Sequence, residues 1–108
     1  MIALIESHRE EIAALCRKYH IRRLDLFGSA ATGAFDPASS DLDFVVDLGE
    51  YDDKVHLRYL YLIAALQDLL GHDVDMLTSD TIRDPFLLAA IKRDGVNLHD
   101  AGDHQAVA

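Results

Sequence analysis

Asp41 and Asp43 stand two residues apart in the run Asp41-Leu42-Asp43-Phe44-Val45-Val46. On an extended strand residues i and i+2 share a face, so both carboxylates project to the same side. Two like charges held that close call for a cation. Magnesium suits them, because it takes hard oxygen ligands, commonly one or two carboxylates, and fills the rest of its shell with water and substrate phosphates. A chain with 19 acidic residues also produces such pairs by chance, and solvated surface acids are the competing reading. Upstream, the apolar run ending at Leu26-Phe27 stops at Gly28-Ser29. Glycine lets a backbone approach a phosphate, the start of a following helix offers free N–H groups, and the serine hydroxyl adds a donor. Taken alone, the same dipeptide is equally an ordinary helix cap.

These residues need elements to hold them. Ile5, Ile12, Leu15 and Tyr19 recur at helical spacings between charged residues, which predicts an amphipathic helix over Ile2 to Tyr19. Ile21 to Phe27 reads as a strand running into the Gly28-Ser29 turn, and residues 28 to 40 as a small-residue loop around a short helical turn near Ser29. Asp41 to Leu48 alternates and then becomes continuously apolar, as a strand entering a buried sheet does. A second long helix is expected over Asp53 to Leu70, stopped by Gly71. A strand over Asp73 to Thr78, a helix over Asp84 to Asp94 ended by Gly95, and a short strand over Val96 to His99 follow. Residues 1–100 are expected to form one domain, an α/β (α+β) unit with a small mixed sheet flanked by helices, and 101–108 a disordered tail.

Bulk properties narrow the partners. A chain of 108 residues, half of them hydrophobic, is long enough for one modest core and too apolar for intrinsic disorder. The net charge of −9 repels a phosphate backbone, which argues against broad nucleic-acid binding and for a protein or a metal-neutralised nucleotide. Cys16 is the only cysteine, which excludes an internal disulfide and a cysteine-based zinc site. Charged residues from Glu6 to Glu11 occupy the place of a leader's apolar run, and no stretch approaches a membrane span. A cytoplasmic protein with no membrane contact is expected, and a homo-oligomer stays open.

As a set, Leu26-Phe27-Gly28-Ser29 and, with eleven residues between Ser29 and Asp41, the run Ser40-Asp41-Leu42-Asp43-Phe44-Val45-Val46 resemble the signature of the polymerase-beta-like nucleotidyltransferase superfamily. The short chain, Gly33 and the later Val74-Asp75-Met76-Leu77-Thr78 are similar to its minimal (MNT) branch, whose members are often the antitoxins of HEPN/MNT modules. The spacer is one residue longer than is commonest in that branch. The resemblance covers about residues 21 to 99 and implies a polymerase-beta-like palm.

It further implies that Gly28 and Ser29 bind the triphosphate of ATP. Asp41, Asp43 and Asp75 would be the catalytic acids and the ligands of magnesium, two ions in all. Asp73 competes with Asp75, being two residues away on the same strand face, but the Asp75 context matches the family pattern better. The implied activity is transfer of a nucleoside monophosphate, AMP from ATP, to a hydroxyl, namely a tyrosine of a partner HEPN toxin. A non-catalytic toxin-neutralising module is the alternative. Tyr59 to Ile63 place apolar groups around more of the second long helix than one core stripe requires, which suits a docked protein. Arg22, Arg23 and Arg58 could neutralise phosphates or form surface pairs, and no role is assigned to them or to His72.

Overall fold

The computed structural model describes residues 2–38 and 40–101. Its elements in chain order are α1 (Ala3–Ser7), α2 (Arg9–Lys18), β1 (Arg23–Phe27), α3 (Ser29–Thr32), β2 (Leu42–Asp47), α4 (Val55–Leu70), β3 (Val74–Thr78), α5 (Pro85–Asp94) and β4 (Val96–Asp100), with a 3-10 turn over Ser79–Thr81. The strands form one mixed sheet in the order β3-β2-β1-β4. β1 runs antiparallel to β2 and to β4, whereas β2 and β3 are parallel.

Strand alternation sorts the sheet into two faces. Leu24, Leu26, Phe44, Val46 and Met76 are buried with Ile12 and Cys16 of α2 and Leu62, Leu66 and Leu70 of α4. That layer is the core, and it holds both acid-bearing strands rigidly. The other face carries three cross-strand rows. Phe27, Asp43 and Asp75 form the first, Asp25, Val45 and Leu77 the second, and Arg23 pairs with Asp47 in the third. Burial pushes the Cys16 thiol up to about 12, as befits a small apolar filler.

The single N-terminal helix expected over Ile2 to Tyr19 is two helices, broken at His8. The Ser7 hydroxyl donates to the Leu4 carbonyl at 3.1 Å, and His8 Nδ1 lies 2.8 Å from the same oxygen. The His8 N–H meanwhile bonds the Ile5 carbonyl three residues back. Side chains thus take the acceptor that helix continuation needs. α2 restarts with Glu10 and Glu11 in its first turn and ends on Arg17 and Lys18, charges that complement its dipole. α5 begins with Asp84 accepting the Phe86 N–H and with Pro85 in its first turn, a start signal the sequence announces. α4 ends at Gly71 in the left-handed conformation.

Arg58 is a structural pin. Its guanidinium donates to the carbonyls of Tyr19, His20, Leu48 and Glu50 at 2.7 to 3.3 Å, tying α4 to the turn after α2 and the loop after β2. It is therefore committed away from any phosphate. Of the tail expected from Ala101 to Ala108, Ala101 bonds the Arg22 carbonyl and 102–108 lie outside the described residues. No helix among the described residues is long and apolar enough to cross a membrane.

Candidate active site

β1 and β2 are antiparallel, so the C-terminal end of β1 and the N-terminal end of β2 meet at one corner of the sheet, with Phe27 opposite Asp43. Gly28 follows Phe27 with φ 71° and ψ −153°, a conformation essentially confined to glycine. A Cβ built there would collide with Asp43 Oδ2. Gly28 and Asp43 are thus in direct contact, although fourteen residues separate them. Ser29 is the first residue of α3 and makes no side-chain cap. The capping role open to it on sequence grounds falls instead to Gly28, whose carbonyl accepts from Ala31 and Thr32.

Asp75 is the register partner of Asp43 on the parallel neighbour β3, where adjacent strands run about 4.8 Å apart. Asp41, two residues before Asp43, sits at the mouth of the same corner and is exposed. The Asp43 carboxyl is held above its ordinary range, first by burial, then by the charges of Asp75 and Asp41. Three acids therefore share one electrostatic locality, and the innermost resists ionising beside the other two. Asp73 lines a polar cleft with Asp41, Gln67 and His72, and its carbonyl accepts from Leu42.

Among the described residues no group of three or more His, Cys, Asp and Glu side chains is arranged to hold a metal ion by itself. Magnesium needs no such cage, since phosphate oxygens and water complete its shell. An all-carboxylate donor set, a half-buried acid burdened by its neighbours, and a notch kept free of a Cβ suit an ion that arrives with a triphosphate.

The family model for the nucleotidyltransferase domain matches residues 8–98. The chain belongs to this family. It is 35% identical over 89 residues, covering 82% of this chain and 88% of the relative, to a Methanocaldococcus jannaschii protein named "Putative protein adenylyltransferase". Among solved structures, the nucleotidyltransferase fold resembles that of a "putative minimal nucleotidyltransferase" at TM-score 0.71 and 30% identity, covering 85% of this chain and 90% of that one. It also resembles a chain in a complex of a tri-AMPylated Shewanella oneidensis HEPN toxin with an MNT antitoxin, at TM-score 0.61 and 19% identity over 94% and 77% of the two chains. That last likeness speaks for the fold alone. The nucleotidyltransferase resemblance and the mixed sheet with flanking helices expected from sequence are both borne out.

Sequence reasoning missed two supports of the site. The Tyr59 hydroxyl donates to the Met76 carbonyl at 2.8 Å, anchoring β3 one residue beyond Asp75, so Tyr59 belongs to the domain's own framework and not to an outward aromatic patch. Its phenol is pushed up by burial and by Asp75. Phe35 meets His72 edge-on at 5.3 Å between ring centroids, fastening the loop between α3 and β2 to the turn before β3. Leu57, Leu60 and Tyr61 do remain exposed on α4.

Proposed function

We propose that this nucleotidyltransferase moves AMP from magnesium-bound ATP to a hydroxyl of a partner protein, a tyrosine of a HEPN-type toxin, and so acts as its cytoplasmic antitoxin. The observation that carries the proposal is the contact of the Gly28 turn with Asp43, beside Asp75, in a chain of this family. Gly28 leaves room for the triphosphate to approach the backbone, and the Ser29 hydroxyl offers it a donor. Asp41 and Asp43 face the same space and would hold the magnesium. Asp75, across from Asp43, would orient the incoming hydroxyl in line with the α-phosphorus. The ions, when bound, screen the phosphate charge and lower the pKa of the attacking hydroxyl. The acceptor hydroxyl gives up its proton to solvent, its oxygen bonds to the α-phosphorus, the bond from that phosphorus to the oxygen bridging to the β-phosphate breaks, and pyrophosphate leaves. The adenylyltransferase name of the archaeal relative and the AMPylated toxin in the Shewanella complex support AMP as the group and a toxin as the acceptor.

A second reading, a non-catalytic neutraliser, is favoured only by the exposed row Leu57, Leu60 and Tyr61, which suits docking whether or not transfer occurs. Incubation with a cognate HEPN protein, magnesium and ATP separates the two. The expected result is an acceptor mass raised by AMP units, abolished by Asp75→Asn and retained by Asp73→Asn. A stable complex with no mass change would select the neutraliser. Calorimetry with the Asp41→Asn/Asp43→Asn pair should show loss of magnesium-dependent ATP binding, and unchanged affinity would refute the metal assignment.

A further inference from the structure

The second and third rows of the acid-bearing sheet face do not end at a bare surface. α5 and the segment before it stand over them, enclosing a cavity of about 430 Å³, within the size range of small-molecule sites. Val45 lines its floor, and Ile82, Leu88 and Ile91 contribute the opposing apolar wall. The floor begins two residues from Asp43, about 6.6 Å along the strand. A nucleotide whose phosphates lie at the first row therefore has this cavity within reach of the rest of its structure.

The polar groups in the cavity define what it accepts. Asp25 is already satisfied, receiving hydrogen bonds from Arg23 at 3.0 Å and Asn97 at 2.9 Å. Asp47 accepts from the Gly49 N–H at 2.9 Å and pairs with Arg22 at 3.8 Å. The acids thus present no uncompensated demand for a cationic ligand. Lys92 and Ser79 also line the space, and among the described residues neither side chain makes a hydrogen bond or ion pair. An apolar wall with two donors in the same lining describes a site for a flat, neutral ring bearing hydrogen-bond acceptors.

We propose that this cavity receives the purine base of the nucleotide, laid against the apolar wall of Ile82, Leu88 and Ile91, with Lys92 and Ser79 facing its ring nitrogens. The inference rests on the nucleotidyl-transfer reading of the first row and adds the site of base selection. α5 has no buried residue, so substitutions there test the cavity with little risk to the core.

Irradiation of the intact wild-type chain with magnesium and 8-azido-ATP, followed by peptide mapping, should place an ATP-protectable adduct between residues 79 and 97. A protectable adduct confined elsewhere overturns the proposal. Ile91→Trp, which fills the cavity, should weaken ATP at least tenfold while leaving inorganic tripolyphosphate within twofold, and Lys92→Ala should weaken ATP severalfold with the same selectivity. Unaltered ATP affinity in Ile91→Trp, or lost transfer to the acceptor with normal ATP affinity, also overturns it, the latter by assigning the cavity to the acceptor. Failure of the underlying reading looks different, because wild-type protein would then bind neither ATP nor tripolyphosphate in a magnesium-dependent way.

Discussion

Gly28→Ala perturbs the site in two separable ways. The first is backbone strain, because φ 71° with ψ −153° lies where a residue with a Cβ costs about 1–3 kcal/mol. The second is collision with the Asp43 carboxylate, which must move or take the glycine turn with it. At the sensitivity of a domain this size, about 4 °C per kcal/mol, the strain alone lowers Tm by roughly 4–12 °C. The collision adds to this and should also remove magnesium-dependent ATP binding from the protein that remains folded. A double-mutant cycle with Asp43→Ala isolates it, since shortening Asp43 deletes the colliding oxygen and leaves the strain. Thermal and urea melts of the four proteins in chelator should show Gly28→Ala costing less in the Asp43→Ala background, with a coupling above ~0.5 kcal/mol. Equal cost in both backgrounds would refute the contact, and a cost near zero in either would refute the glycine-specific conformation.

Two further outcomes follow from charges the fold buries. Because the native Asp43 carboxyl titrates above its ordinary value of 3.8, ionising it costs more in the folded than in the unfolded chain. The penalty is absent below the unfolded value and grows as pH rises through the native one. Asp43→Asn should therefore raise the Tm of the metal-free protein at neutral pH, with the advantage vanishing as pH falls through the carboxylate range. A constant or inverted difference across melts in that range would contradict the crowding by Asp75 and Asp41. Arg58→Ala should destabilise by about 3 kcal/mol or more, given that single charge-assisted hydrogen bonds contribute about 1.5–3 kcal/mol and four carbonyls lose their donor. ATP affinity of the folded fraction should stay unchanged, and a selective loss of ATP binding would return Arg58 to the phosphate site.

The elements that sequence made legible are those whose signal is local. The helical spacing of Leu62, Leu66 and Leu70, the Asp84-Pro85 start and the Gly71 stop each carry their own physical cause, and the structure places α4 and α5 within two residues of the expected bounds. The break at His8 was hidden because it depends on Ser7 and His8 side chains competing for one carbonyl, while the apolar period runs on through it. Gly28, Ser29, Asp41 and Asp43 could be picked out by residue type. Their convergence could not, because it arises from the antiparallel register that sets Phe27 against Asp43. Likewise, only the parallel pairing of β2 with β3 sets Asp75 across from Asp43, and only the fold turns Arg58 and Tyr59 from candidate surface groups into framework.

The corner where β1 ends and β2 begins has a consequence for how this site tolerates change. Paired strands clamp both ends of the intervening segment, so its length is an almost free variable. Doubling such a loop costs only about 0.6 kcal/mol in closure entropy. The one-residue excess over the commonest spacing therefore costs little in closure entropy, and the loop is a natural insertion port. Peptide grafted at exposed Ala34, ahead of the Phe35 contact with His72, would leave the strand pairing at the corner in place, and it is there that an engineer, or a diverging lineage, could add a new surface beside the acids.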